Sequence, residues 1–284
     1  MPELPEVETI VRGLRAVLPG RRITGVRLSK TDFIEDPAAL EREIPGSRIR
    51  SVQRRGKFLV IELEKDESNK PQFTLLVHLG MTGQLLASVP GELVAPHTHV
   101  FFSLDDGREI RYRDPRRFGQ MRILANGQHK DTLAGLGAEP LEASESEFRA
   151  RLQARRARIK ALLLDQRVFS GMGNIYTDES LWRARIHPMR LGATLTDVEI
   201  RRLRRAVRDV LASAIRHGGS SISDYVDAQG QRGEFQRRHR VYQRLGLKCF
   251  RCGARVRRVI VAGRSSYFCP RCQPSPRKHV RSSR

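Results

Sequence analysis

Cys249-Phe-Arg-Cys-Gly-Ala-Arg-Val-Arg-Arg-Val-Ile-Val-Ala-Gly-Arg-Ser-Ser-Tyr-Phe-Cys-Pro-Arg-Cys272 decides one end of the fold. Two C-x2-C pairs put four thiolates on two tight turns, the ligand set of a closed tetrahedral zinc site. Between them, residues 255–261 and 265–268 alternate as two strands should, with Ala262-Gly263-Arg264 at the turn. The pattern is a zinc ribbon whose hairpin tip presents Arg264. Two redox pairs are the alternative, but neither pair sits near a βαβ unit. With Cys249, Cys252, Cys269 and Cys272 all engaged, no coordination position stays open, so the single zinc is expected to be structural.

Working outward from the ribbon, residues 220–242 are polar and glycine-bearing, like a mobile loop. Before them Thr196 and Glu199 form a capping box, opening a helix through Leu203, Val207, Leu211 and Ile215 to Gly218-Gly219. Ile159, Leu162 and Leu163 belong to one earlier helix and the residues after Asn174 to another, separated by Gly171-Met-Gly173. From Ile23 to Leu124 the signal is strands: residues 58–63, 73–78 and 100–104 are β-branched or aromatic, and Asp106-Gly107 reads as a hairpin turn. Short strands at this spacing suggest a β-sandwich or barrel. At the start, Val7, Ile10, Val11, Leu14, Val17 and Leu18 make one helical stripe, with Pro5 in the first turn and Gly20 able to end it. The fold class is therefore α+β and multidomain. The expected divisions are 1–134 (helix plus two-layer sandwich), a linker at 135–148, 149–243 (helical), and 244–284 (ribbon and basic tail, the tail loosely ordered).

Charge narrows the partner. The 284 residues hold 53 Lys plus Arg against 31 Asp plus Glu, a net +22. Such an excess repels itself unless an anion neutralises it, and nucleic acid is the leading candidate, since each phosphate contact releases a counterion. No apolar run is long enough to span a bilayer, and the acidic start lacks the order of a secretory signal. A cytoplasmic, DNA-associated protein with no membrane role is expected.

Several short motifs, in order, now matter together: Pro2-Glu-Leu-Pro-Glu-Val-Glu8, Gln53-Arg-Arg-Gly-Lys57, His78-Leu-Gly-Met81, Asp114-Pro-Arg-Arg-Phe118, Gly173-Asn-Ile-Tyr176 and the four cysteines. In these the chain resembles the bacterial formamidopyrimidine-DNA glycosylases of the Fpg/Nei superfamily, along nearly its whole length. The resemblance implies a two-layer β-sandwich, a helix–two-turn–helix domain and a zinc finger. It implies a monomer acting on double-stranded DNA with oxidised bases or abasic sites. The implied reaction is base excision by a Schiff base at Pro2, followed by β,δ-elimination.

The residues suit that chemistry. Once Met1 is removed, Pro2 is a secondary amine titrating near pH ~8, partly unprotonated at neutrality and nucleophilic. Glu3 adjoins it and can supply a proton, as a positioned carboxyl does. Glu6 resembles a supporting partner; helix-dipole compensation is the alternative for both glutamates. By resemblance Lys57 and Arg264 contact phosphate and assist β- and δ-elimination. Met81, Arg116 and Phe118 match the family's intercalating wedge, which fills the hole left by a flipped nucleotide; on residue type alone Met81 and Phe118 could equally be core. His97, Arg155, Lys160 and Asn174, with Arg116, sit at family DNA-contact positions, and Asn174 could also be a plain N-cap. Leu4 favours the purine-specific branch. Ser223 and Gln243 depart from the family pattern, at positions where some members carry Lys and where Gly is usual. Two other readings stand beside an oxidised-purine glycosylase: a Nei-like enzyme for oxidised pyrimidines, and a non-catalytic zinc-ribbon DNA-binding protein.

Overall fold

A computed structural model describes residues 1–65, 72–125 and 127–275; the basic tail from residue 276 onward lies outside the described residues. The chain forms two compact units, 1–135 with 214–236, and 136–213 with 237–284.

The first unit opens with helix α1 (Leu4–Arg15), which has Pro5 in its first turn. Its stripe of Val7, Ile10, Val11 and Leu14 is fully buried. Then come β1 (Ile23–Leu28), α2 (Pro37–Glu43), β2 (Arg48–Arg55), β3 (Phe58–Glu64), β4 (Phe73–His78), β5 (Gln84–Ser88), β6 (Thr98–Leu104), β7 (Glu109–Arg113), β8 (Gln120–Ala125) and α3 (Gln128–Leu133). The strands make two antiparallel four-stranded sheets, ordered β1-β6-β7-β5 and β2-β3-β4-β8. Both sheets and α1 feed one apolar core, in which Leu59, Leu75, Val77, Val100, Ile110 and Tyr112 meet the α1 stripe. Two faces converging on one interior is the sandwich that the alternating segments implied. Asp106-Gly107 does turn β6 into β7, with Gly107 at φ +82°.

The stretch 220–242, expected to resemble a mobile loop, is divided between the units and partly packed. Tyr225 and Ala228 belong to the sandwich core, and the Ala228 carbonyl accepts from the Ala87 N–H at 2.9 Å. Polar composition hid these anchors, because only two apolar side chains make them.

The second unit carries α4 (Glu145–Gln153), α5 (Ile159–Leu164), α6 (Asn174–Ala184) and most of α7 (Asp197–Arg216), then hairpin strands β9 (Arg257–Val261) and β10 (Arg264–Phe268). The capping box before α7 is present: the Glu199 N–H donates to Thr196 Oγ1 at 3.3 Å, and the Thr196 N–H to Glu199 Oε2 at 2.9 Å. Arg264 is not in the hairpin turn as expected. Ala262 and Gly263, with φ +49° and +69°, make a two-residue turn, and Arg264 is the first residue of β10, opposite Val261. Two left-handed residues match the twist of paired strands, which makes this the tighter solution. Arg264 remains exposed.

Candidate active site and nucleic-acid interface

Pro2 is buried just ahead of α1. Glu3 is the N-cap and forms a capping box with Glu6: the Glu3 N–H donates to Glu6 Oε2 at 2.8 Å. The other Glu6 oxygen accepts from the Ser220 N–H at 2.7 Å. Tyr225 donates its hydroxyl to the Glu6 carbonyl at 3.3 Å. Glu6, 2% exposed, thus ties the residues beside Pro2 to the segment that follows α7. Gly219 has to be glycine here: its φ is +76°, and a Cβ would lie 2.7 Å from Glu6 Oε1. Helix-dipole compensation alone does not describe a carboxylate with both oxygens committed to named backbone donors.

Lys57 sits in the hairpin between β2 and β3, after Gly56 at φ +58°. Arg54 holds that turn, donating to the Gly56 carbonyl and to Glu8 on α1, both at 3.0 Å. Lys57 is 8% exposed and so is not a solvated surface charge. His78 is a neighbour that the sequence reading did not single out. It pairs in register with Phe58, their rings 5.0 Å apart. Burial first, and then the Lys57 charge, push its pKa down to about 4. Its Nδ1 faces the Gly80 N–H at 3.2 Å, so the neutral ring carries its proton on Nε2. The available signal was that 58–63 and 73–78 read as consecutive strands, and antiparallel pairing of the two sets the last residue of β4 beside the first of β3.

Met81 and Phe118 are 42% and 55% exposed, so neither is core. Arg116 lies against both: its Nη1 is 3.4 Å from Met81 Sδ and its guanidinium 4.5 Å from the Phe118 ring centroid. His97 is exposed at φ +67°, and its carbonyl accepts from the Asp114 N–H at 3.0 Å.

In the second unit Arg155 is exposed and paired with Asp165 at 2.9 Å. Lys160 departs from the surface DNA contact expected of it. It is 0% exposed, with Nζ 2.7 Å from Asp178 Oδ1 and 2.7 Å from the Ser265 carbonyl. Burial pushes the Asp178 carboxyl up to about 7, against the pull of Lys160 and the Tyr267 N–H. Asn174 is not the N-cap either. Gly173 holds that position, and Asn174 Nδ2 donates to the same Ser265 carbonyl at 3.0 Å. Lys160, Asn174 and Asp178 therefore seat strand β10, with Arg264 at its start, on helices α5 and α6. Glu179 seats the chain leading into the ribbon, accepting from the N–H groups of Arg240, Val241 and Tyr242 at 2.9–3.0 Å. Gln243 follows at φ +57°, the left-handed region that explains why glycine suits this position.

The four cysteine Sγ atoms lie within 4.8 Å of one another. Tetrahedral Zn–S bonds of about 2.3 Å put sulfurs roughly 3.8 Å apart, and the Cys249–Cys272 and Cys252–Cys269 separations are 4.0 and 3.4 Å. The indole N–H of Trp182 donates to Cys249 Sγ at 3.4 Å, the outer support a thiolate ligand takes. The cluster fits one structural zinc.

Three family profiles match consecutive stretches: the formamidopyrimidine-DNA glycosylase N-terminal domain over 1–121, the formamidopyrimidine-DNA glycosylase H2TH domain over 136–226, and the zinc finger found in FPG and IleRS over 246–274. The chain is 45% identical over 280 residues to the formamidopyrimidine-DNA glycosylase of Pelotomaculum thermopropionicum, covering 96% of this chain and 99% of that one. It is 44% identical to that of Chloroflexus aurantiacus, covering 96% and 98%. Among solved structures, the complex of Lactococcus lactis Fpg with abasic-site DNA superposes with a TM-score of 0.88 at 33% identity, over 96% of this chain and all of that one. MutM (Fpg) from Thermus thermophilus gives 0.84 at 42%, over 97% of this chain and all of that one. The chain belongs to the formamidopyrimidine-DNA glycosylase family.

Proposed function

We propose that this protein is a bifunctional DNA glycosylase and AP lyase of base excision repair, acting on oxidised purines in duplex DNA. The observation that carries the reading is the head of α1, where buried Pro2 adjoins Glu3, and Glu3 is tied to Glu6 in a capping box whose Glu6 carboxylate also accepts from the Ser220 N–H. Removal of Met1 converts the Pro2 amide into a secondary amine with a lone pair. That nitrogen attacks C1′ of the flipped nucleotide, the bond to the base breaks, and Glu3 delivers the proton that opens the sugar. The resulting iminium acidifies C2′–H, so the 3′ phosphate leaves, and a second elimination releases the 5′ phosphate.

In the roles that the family resemblance implies, Lys57, whose turn is held by Arg54, contacts phosphate and assists β-elimination, and Arg264, at the start of β10, contacts phosphate and assists δ-elimination. When bound, zinc supplies rigidity to the ribbon and no chemistry, since a four-thiolate site has no open position. Met81, Arg116 and Phe118 fill the space the flipped nucleotide vacates. Arg155, His97 and Asn174 add phosphate contacts; Lys160 acts by holding β10. Among the described residues no helix is long and apolar enough to cross a membrane; the net +22 supports a life spent on DNA, and the proposed cytoplasmic location follows from that partner.

The relatives share the purine-derived name formamidopyrimidine-DNA glycosylase, which favours oxidised purines over oxidised pyrimidines. Borohydride trapping tests the reading. With 8-oxoguanine duplex the enzyme becomes joined to DNA through residue 2, located by peptide mass spectrometry. Pro2→Gly keeps an amine but frees the backbone, and excision falls about 100-fold, the cost of a misplaced nucleophile. An adduct at Lys57 overturns the assignment of Pro2. Faster excision of thymine glycol than of 8-oxoguanine overturns the purine preference.

A further inference from the structure

The turns that bear Met81 and Phe118 meet on one buried carboxylate that the excision chemistry does not use. Asp114 directly follows β7 and is 0% exposed. Its Oδ1 accepts from the Thr82 hydroxyl and, at 3.3 Å, from the Arg116 N–H. Its Oδ2 accepts from the Gly119 N–H at 2.9 Å and from the Tyr112 hydroxyl at 3.2 Å. A carboxylate offers about four lone-pair directions, and all four are taken. The donors are the residue after Met81, Arg116 itself, the residue after Phe118, and a core tyrosine that is 0% exposed.

The two turns also touch directly. A Cβ at Gly80 would overlap the Phe118 carbonyl, and one at Gly119 the Tyr112 hydroxyl. At Gly83 a Cβ would lie 2.8 Å from that same hydroxyl oxygen. Glycines on both turns thus let the backbones close over the Tyr112–Asp114 pair. Above that floor Arg116 bridges Met81 and Phe118, and all three side chains stand exposed. A sheet end does not require this arrangement. Burying a carboxylate costs solvation that only a full set of hydrogen bonds offsets, and an apolar residue would fill the site more simply.

We propose that Asp114 is a positioning residue for intercalation: it locks the two turns together so that Met81, Arg116 and Phe118 enter the duplex as one pre-formed body. This rests on the reading of those three as the wedge. Ordering a rotamer-rich side chain at an interface costs up to about tenfold in equilibrium, so a floor that orders the wedge in advance speeds extrusion of the damaged nucleotide. The clamp also reaches the His97 carbonyl through the Asp114 N–H, and so aligns a further DNA contact with the wedge.

The test is a mutant cycle read by fluorescence of 2-aminopurine placed beside an 8-oxoguanine, which rises as the stack opens. Asp114→Asn keeps the shape but turns one acceptor edge into a donor facing donors. Thr82→Val cuts only the link to the Met81 turn and keeps the fold if Asp114→Asn does not. Each should slow extrusion about tenfold in the wild-type background. In a Met81→Ala/Phe118→Ala background each should change it less than about twofold, because coupled residues are non-additive. Equal slowing in both backgrounds overturns the proposal and makes Asp114 a fold residue only. If Met81→Ala/Phe118→Ala itself leaves extrusion unchanged, the wedge reading fails, and the role of Asp114 falls with it.

Discussion

The sandwich and the ribbon hold their proposed functional residues by different physics. Pro2 sits at the head of a helix whose Val7, Ile10, Val11 and Leu14 are fully buried in an apolar core shared by two sheets. Arg264 sits on a two-stranded hairpin too small for such a core; Val256, Val261 and Phe268 are its buried apolar side chains. Small scaffolds of this kind need staples. The ribbon has three: the four-thiol cluster, the Lys160–Asp178 pair with its bonds to Ser265 and Tyr267, and the Glu179 carboxylate under residues 240–242. Burial of apolar area is diffuse and tolerates local damage. A metal or an ion pair is concentrated in a few atoms, so single substitutions should separate the two regions.

Zinc gives the widest separation. Structural zinc in finger peptides contributes on the order of 10 kcal/mol or more, nearly all of it folding free energy. Cys249→Ser, or a strong chelator, should abolish slow hydrogen exchange across residues 246–273 and leave α1, β3 and β4 protected. Loss of protection in α1 to the same extent would mean that the sandwich does not stand on its own core.

The buried pair comes next. Lys160→Met strands the Asp178 carboxylate and should cost about 3–5 kcal/mol, the usual penalty for half of a buried pair. Lys160→Met with Asp178→Asn should recover much of this, because Asp178 is already pushed toward neutrality by burial. Denaturant unfolding followed by Trp182 fluorescence reports the change beside the ribbon. A double mutant no better than the single one would show that the pair's geometry, and not its charge, matters.

Acid should act on both regions alike. His78 in the sandwich and His239 before the ribbon are each pushed down to about 4 by burial, helped by Lys57 and Arg244 respectively. A depressed folded value means that the unfolded chain binds the proton first. Stability is therefore fully present above pH ~6.5 and is lost as pH falls toward ~4, by up to about 3 kcal/mol per histidine. His78→Gln should flatten that slope in the sandwich. A slope unchanged by His78→Gln would place the acid sensitivity elsewhere.

Much of this molecule is legible in one dimension, where a short period or spacing carries the physics. The α1 stripe, the Thr196–Glu199 box, the Asp106-Gly107 turn and the C-x2-C pairs each lie within a few residues, so local geometry alone sets them. What the sequence could not decide were the contacts that join distant residues. Met81 and Phe118 suit a core as well as a surface by type, and only the sandwich's end places them outside it. Lys160 is one of 53 basic residues, and only the packing of β10 on α5 and α6 turns it into a buried staple. Tyr225 and Ala228 were lost in a polar stretch until the core received them. Side-chain identity sets what a residue can bond, while burial and the partner brought to it across the fold set what it does bond, and those arise only when the chain closes on itself.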